Sequence, residues 1–128
     1  MSKNIIKLNR GDSYDFKVSI PDKEDCTKNY ILTGKDVVYF ALLYPHQRFE
    51  DAILIKGYDH TDCIIENGKN TGKILIKIEP KDTRRLAPGI YYYTVKLQRG
   101  GSLINAKDYD EPDEVRTIIE RTKFIIND

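Results

Sequence analysis

Apolar and polar residues alternate along several short stretches of this chain, and this period of two constrains its fold more than any other feature. In residues 13–20 (SYDFKVSI) every second residue is apolar, and residues 73–79 (KILIKIE) repeat the pattern with isoleucine. A strand places successive side chains on opposite faces, so each stretch predicts a half-buried β-strand. No window keeps the spacing of an amphipathic helix over several turns. The residues expected to face the core are Tyr14, Phe16, Val18, Ile20, Ile74, Ile76 and Ile78.

Similar short segments recur along the chain with turn residues between them, as in β-sandwiches. They are an opening strand with Ile6 and Leu8, then 36–44, 52–58, 61–65, 91–98 and 115–126. We therefore predict an all-β fold: a two-sheet antiparallel immunoglobulin-like β-sandwich of about seven to nine strands. One short helical turn is expected near residues 80–86. The 128 residues suit one domain, and without a repeat or linker we expect residues 1–128 to form it.

Composition narrows the classes of partner. The net charge is only +1, which argues against nucleic acid as a partner because phosphate binding needs a basic excess. The longest apolar run, 37–44, is too short to cross a bilayer, so no membrane partner is expected. Residues 1–10 have no apolar core or cleavage site of a signal peptide, and we do not expect secretion by that route.

The chain has two cysteines, Cys26 and Cys63. Two thiols in a chain without a signal peptide are usually free. A disulfide between them remains the alternative.

The segment from Leu86 to Leu97 (LAPGIYYYTVKL) indicates a particular corner of a sandwich. A leucine, a Pro-Gly pair and a tyrosine that opens a strand are typical of a tyrosine corner, in which the hydroxyl bonds back to the preceding loop. We predict a structural corner formed by Leu86, Gly89 and Tyr91, with Tyr92 as the alternative tyrosine. The competing interpretation is that the three tyrosines are only good strand formers.

The same segment carries a family resemblance. The pattern I-x-P-x-D-T-x-x-L-x-x-G-x-Y-x-Y is formed by Ile78, Pro80, Asp82, Thr83, Leu86, Gly89, Tyr91 and Tyr93. With the order of strands, it resembles the immunoglobulin-like domains of tailed-phage structural proteins, such as the N-terminal domain of baseplate upper proteins. The resemblance implies a virion component, made in the host cytoplasm, that contacts neighbouring subunits. A long baseplate protein continues into a receptor-binding region, whereas a free-standing domain could decorate a capsid, a tail tube or a fibre base.

Residues able to carry chemistry are scarce. His60 and Cys63 lie three apart, but a structural zinc site needs four converging ligands. Residues 108–114 hold five carboxylates without the spacing of a calcium loop, so a solvated acidic loop is the better interpretation. We expect no metal, no cofactor and no catalytic residues, and hence no enzyme.

The strand 36–44 (DVVYFALLY) is apolar on both faces, although one face of an antiparallel sandwich strand normally meets water. With Val38, Phe40 and Leu42 inward, Val37, Tyr39 and Leu43 would point outward. The neighbouring strand 91–98 would add Tyr92, making a candidate interface of Val37, Tyr39, Leu43 and Tyr92. The alternative is that a loop of the same chain, for example 99–114, covers this face.

Two functions are compatible with these features. The first is a non-catalytic structural or assembly protein of a bacteriophage virion, with other virion structural proteins as partners and with homo-oligomeric or symmetric assembly. The second is a free-standing recognition module that binds carbohydrate or a protein ligand through loops and exposed tyrosines. The absence of tryptophan weighs against sugar binding.

Overall fold

The computed structural model describes residues 5–25, 27–100 and 114–128, and these ranges form strands joined by turns and longer connections. The strands are β1 (Ile6–Asn9), β2 (Tyr14–Ser19), β3 (Asp36–Leu43), β4 (Leu54–Tyr58), β5 (Cys63–Glu66), β6 (Lys69–Ile78), β7 (Gly89–Arg99) and β8 (Glu114–Asn127). One helical turn, α1, spans Pro80–Thr83, and two short 3₁₀ turns span Phe49–Asp51 and His60–Asp62.

The strands form two sheets, which confirms the predicted all-β sandwich. The five-stranded sheet has the order β1-β8-β7-β3-β4, and the three-stranded sheet has the order β2-β6-β5. In immunoglobulin terms, β8, β7, β3 and β4 correspond to strands G, F, C and C′, and β2, β6 and β5 to strands B, E and D.

One strand pair departs from the predicted antiparallel arrangement. β1 runs parallel to β8, with Ile6 opposite Phe124 and Leu8 opposite Ile126. Gly11, at a φ of 84°, turns the chain from β1 into β2 in the other sheet. Because β1 does not form a hairpin with β2, it is free to pair with the last strand in the same direction.

The core lies between the sheets and follows the predicted alternation. Val18, Ile20, Ile74, Ile76 and Ile78 are all buried. Aromatic rings join the two sheets at the centre, since the ring centroid of Phe16 on β2 lies 6.0 Å from that of Phe40 on β3 and 5.9 Å from that of Tyr93 on β7. Tyr14 and Phe16 share the inward face of β2 but are more accessible, since Phe16 is half-buried and Tyr14 is 37% exposed.

The connection between β6 and β7 is the corner predicted around Leu86. The hydroxyl of Tyr91 donates a hydrogen bond of 2.6 Å to the carbonyl oxygen of Ala87. Leu86 packs against the core, and its amide donates to the carbonyl of Thr83 at the end of α1. Gly89 has a φ of 155°, a backbone conformation that residues with a side chain rarely adopt.

The helical turn α1 is fixed from both sheets. Thr83 is fully buried, and its Oγ1 accepts a 2.9 Å hydrogen bond from the amide of Gly11. The carboxylate of Asp82 accepts from the amide of Glu79 at 2.7 Å and lies 2.7 Å from the ammonium of Lys56 on β4. This turn therefore joins the β1–β2 connection, the edge strand β4 and the corner.

Candidate interaction surface

The outward face of the five-stranded sheet is the surface on which the candidate interface was predicted. On β3, Val38, Phe40 and Leu42 point inward and are fully buried, as expected. Val37 and Tyr39 lie on the opposite, outward face and are half-buried. Burial raises the pKa of the Tyr39 phenol, which agrees with a sheltered position.

The prediction that Leu43 is an exposed interface residue is wrong. Leu43 is completely buried, as is Ala41 on the same face. The chain that follows β3 brings Phe49 back against this face, where its ring centroid lies 6.3 Å from that of Tyr39 and 5.4 Å from the ammonium of Lys96. Phe49 is itself buried, so a segment of the same chain covers this half of the sheet. The covering segment is 45–53. For the loop 99–114, which was the example considered in the alternative interpretation, residues 101–113 lie outside the described residues.

Tyr92 lies at the other end of this face, away from Tyr39. Its register partners are Leu43 on β3 and Lys123 on β8, whereas Tyr39 lies opposite Lys96. Tyr92 is half-buried. The four predicted interface residues therefore do not form one exposed patch.

An exposed apolar part of the face is formed by β7 and β8 near the corner. Ile90 lies opposite Ile125, and Tyr92 lies opposite Lys123, so the four side chains form two adjacent cross-strand pairs. Ile90 is 52% exposed, Lys123 is exposed and Ile125 is half-buried. We call these four residues the outer patch. Adjacent exposed apolar residues beside a tyrosine are a composition common at protein interfaces.

An open cleft of about 480 Å³ adjoins the outer patch. It is lined by Pro45, His46, Gln47, Arg48, Tyr92 and Arg121. The guanidinium of Arg121 donates to the carbonyl of Gln47 and so fixes the covering segment to β8. His46 has a φ of 64°, which is uncommon for a residue other than glycine. The cleft therefore combines one aromatic wall with the side chains of two arginines.

A network of charged and phenolic groups closes the opposite end of the sandwich. The buried carboxylate of Asp36 accepts hydrogen bonds from the hydroxyl of Tyr30 at 2.7 Å and from the amide of Thr33 at 2.8 Å, and its second oxygen lies 3.5 Å from Nε of Arg99. Arg99 also lies 3.5 Å from Glu114 at the start of β8. Burial, followed by the hydrogen bond to Asp36, raises the pKa of Tyr30. The network joins the ends of β3, β7 and β8, which is a structural role.

The residues considered for metal binding do not converge. His60 lies in an exposed 3₁₀ turn, while Cys63 is a buried free thiol whose pKa is raised by burial. Among the described residues, no group of three or more His, Cys, Asp or Glu side chains is placed to hold a metal ion. The other cysteine, Cys26, and most of the acidic segment, 108–113, lie outside the described residues.

Sequence reasoning missed Ile90, Lys123 and Ile125. For Ile90 the alternation of the strand was a usable signal, because Tyr91 and Tyr93 point inward and Ile90 and Tyr92 must then point outward. The pairing of Ile90 with Ile125, however, depends on the register between β7 and β8. That register includes irregularities near Val95, which no local pattern discloses.

Comparisons with known proteins do not assign the chain to a family. No protein-family model matches the chain, and a search of the curated proteins finds no significant relative. In the described part of the chain, no helix is long and apolar enough to span a membrane.

Proposed function

We propose that this chain is a non-catalytic structural protein of a tailed-phage virion that acts through contacts with other virion proteins. Its place is in a baseplate, a tail, a fibre base or the decoration of a capsid. The corner of the domain is fixed by hydrogen bonds, and the contacts are made by surface side chains on its strands.

The observation that carries this proposal is the outer patch. Ile90 and Ile125 lie side by side on the outward face next to Tyr92, and the arginine-containing cleft continues the surface beyond them. Tyrosine and arginine are enriched among the residues that dominate binding at protein interfaces. The patch lies on two hydrogen-bonded strands rather than on a loop. Binding therefore costs little conformational entropy of the backbone and side chains.

The virion setting is supported by the corner motif. The pattern from Ile78 to Tyr93 resembles the immunoglobulin-like domains of tailed-phage structural proteins, and it lies here at the connection between β6 and β7. The bond between Tyr91 and Ala87 gives the motif a structural role that an assembly protein needs, namely a fixed relation between its two sheets. Fold alone does not determine function, so the setting needs its own test.

That test is the composition of the particle. Phage particles purified by density gradient from the strain that encodes the chain are analysed by quantitative mass spectrometry, and the chain is expected in a fixed ratio to the major capsid protein. Ile90→Asp should lower its incorporation at least about tenfold, because burying a charged carboxylate in the interface costs free energy. Ile65→Asp is the matched control, since Ile65 is 60% exposed on the other sheet and should leave incorporation unchanged. Absence of the wild-type chain from particles, despite its presence in the infected cell, would contradict the proposal.

The cleft favours one second candidate, a recognition module for an anionic glycan. Tyr92 offers an aromatic wall, and Arg48 and Arg121 offer donors for carboxylate or sulfate groups. A glycan array probed with the wild-type chain and with Arg121→Gln distinguishes the candidates. Binding of acidic glycans that Arg121→Gln abolishes supports the recognition module, and no binding rejects it.

A further inference from the structure

Among the described strands, four lie at the edges of the two sheets, and three of these carry features that block further pairing. β1 and β5 have only four residues each, and the pairing of β5 with β6 contains a register shift. β4 turns the charged side chain of Lys56 inward, where its ammonium lies 2.7 Å from the carboxylate of Asp82 and donates to the carbonyl of Lys77 at 2.8 Å. Short edges, irregular pairing and inward-pointing charges are among the devices by which proteins prevent edge-to-edge association.

The fourth edge strand, β2, lacks these features. It pairs with β6 over six consecutive residues without a register shift, and among the described strands β6 is its single neighbour. Phe16 on its inward face is half-buried, and Tyr14 is 37% exposed. The edge is therefore regular, long enough to accept a strand, and bordered by apolar side chains that a further strand would cover.

The backbone groups of β2 that point away from β6 can be identified. The amide of Ile20 donates to the carbonyl of Gly72, and its carbonyl accepts from the amide of Tyr30, so both groups of Ile20 point to the β6 side. Hydrogen-bonded and non-hydrogen-bonded positions alternate along an antiparallel strand. The amides and carbonyls of Asp15 and Lys17 therefore point to the open edge.

The side chains of β2 are complementary to a second copy of the same strand in one register. If two β2 strands pair antiparallel about a two-fold axis at Phe16, Asp15 lies opposite Lys17 of the second copy, and Lys17 opposite Asp15 of the second copy. Phe16 then meets Phe16 of the second copy, with the other inward side chains beside it. Sliding the strands by two residues in either direction places Asp15 opposite Asp15 or Lys17 opposite Lys17, which is unfavourable. Charge thus selects the register that also joins the apolar side chains.

We infer that two copies of this chain associate through antiparallel pairing of their β2 strands, in the register centred on Phe16, to form one continuous six-stranded sheet. The two-fold symmetry makes the contact closed and isologous. One strand pair is smaller than a standard interface, so the dimer is expected to dissociate with a constant of about 1–100 μM. The inference deepens the proposed assembly role and rests on it for its biological meaning. Its test measures mass in solution and not particle composition, so either proposal can fail alone.

The test is analytical ultracentrifugation of the full chain over about 1–500 μM, a range chosen to bracket that constant. The wild type should pass from monomer to dimer. Lys17→Asp and Asp15→Lys should each weaken dimerisation at least about tenfold, because each variant places two pairs of like charges across the edge. The double variant Asp15→Lys/Lys17→Asp restores both opposite-charge pairs and should dimerise as the wild type does.

A mixture of the two single variants is the most specific test of the proposed register. Lys17→Asp carries two carboxylates on this edge and Asp15→Lys carries two ammonium groups, so an equimolar mixture should form a heterodimer although neither variant dimerises alone. Heterodimer formation also shows that both variants are folded, which matters because Asp15 lies opposite Lys77 within the chain. A wild type that stays monomeric throughout, single variants that dimerise like the wild type, or a mixture that stays monomeric would overturn the inference.

Discussion

The phenol hydroxyl of Tyr91 lies 2.6 Å from the carbonyl oxygen of Ala87, four residues earlier in the chain, and donates a hydrogen bond to it. The ring of Tyr91 is buried, so the bond forms at the boundary of the core. Between the two residues the chain passes Gly89, where it enters β7. With the contacts of α1, this hydrogen bond fixes the path by which the chain crosses from the three-stranded to the five-stranded sheet.

Removing that hydroxyl tests the importance of the corner. Tyr91→Phe should lower the free energy of unfolding by about 1–2 kcal/mol, because the carbonyl of Ala87 loses its donor while the ring is retained. Tyr92→Phe is the matched control and should change it by less than about 0.5 kcal/mol. Urea unfolding followed by circular dichroism measures both, and equal effects would show that the corner bond has no special role.

Alanine substitutions at two glycines distinguish the effect of backbone conformation on stability from the effect of packing. Gly68 and Gly72 both have positive φ, at 74° and 70°, but a Cβ on Gly68 meets nothing within 4 Å, whereas one on Gly72 would lie 2.6 Å from Cβ of Asn29 and 2.8 Å from the carbonyl oxygen of Tyr30. Gly68→Ala should lower the free energy of unfolding by about 1–2 kcal/mol. Gly72→Ala should lower it by about 1–3 kcal/mol more, because the contact with Tyr30 involves backbone. Similar thermal midpoints for the two variants would contradict the tight approach of the segment around Asn29 to β6.

The covering role of Phe49 can be tested by truncation. Phe49→Ala should lower the free energy of unfolding by about 2–4 kcal/mol, because it removes a buried ring and uncovers the outward face of β3. Ile65→Ala, at a position that is 60% exposed, should cost less than about 1 kcal/mol. If Phe49→Ala is as harmless as Ile65→Ala in chemical denaturation, segment 45–53 does not cover the sheet in solution.

Stability should fall at alkaline pH because of Tyr93. Burial raises the pKa of Tyr93 from 10.0 to about 12. An unfolded chain loses this proton near pH 10 while the folded protein retains it to about pH 12, so the unfolded state binds fewer protons in this window and rising pH favours unfolding. The contribution of Tyr93 is present in full below pH 10 and is lost towards pH 12, on the order of 2 kcal/mol.

The corresponding measurement is the free energy of unfolding between pH 8 and pH 12. Tyr93→Phe should have a shallower alkaline decline than the wild type, because its side chain cannot ionise. Tyr44→Phe is the control, since Tyr44 is 51% exposed, and it should follow the wild-type curve. An alkaline decline that Tyr93→Phe leaves unchanged would assign the pH dependence to other groups.

The features predictable from the sequence were those that depend on neighbouring residues. Alternation identified β2 and β6 with the correct inward faces, because the period of a strand is a local property. The position of the corner could be predicted from Leu86, Gly89 and Tyr91, because turn residues restrict the backbone conformation locally. The helical turn was expected over 80–86 and is confined to Pro80–Thr83, after which the chain turns towards the corner.

The features that were missed depend on contacts between distant parts of the chain. The parallel pairing of β1 with β8 joins residues more than a hundred positions apart. Leu43 is buried on the face against which Phe49 packs, and no local pattern indicates that the polar segment around Phe49 folds back onto this face. The candidate interface therefore moved from Val37, Tyr39 and Leu43 to the exposed end of the same face, with Tyr92 as the one residue common to both.

The most direct test of the central claim, that the outer patch binds another virion protein, is site-specific photo-crosslinking in assembled particles. A photoreactive phenylalanine is introduced at Ile90 in the outer patch and, as the matched control, at Ile65 on the opposite sheet, because both positions are more than half exposed. Irradiated particles should contain a crosslink from position 90 to a different structural protein and a much weaker crosslink, or none, from position 65. Particles in which position 90 gives no crosslink, or in which both positions react equally, would contradict a contact made through this surface.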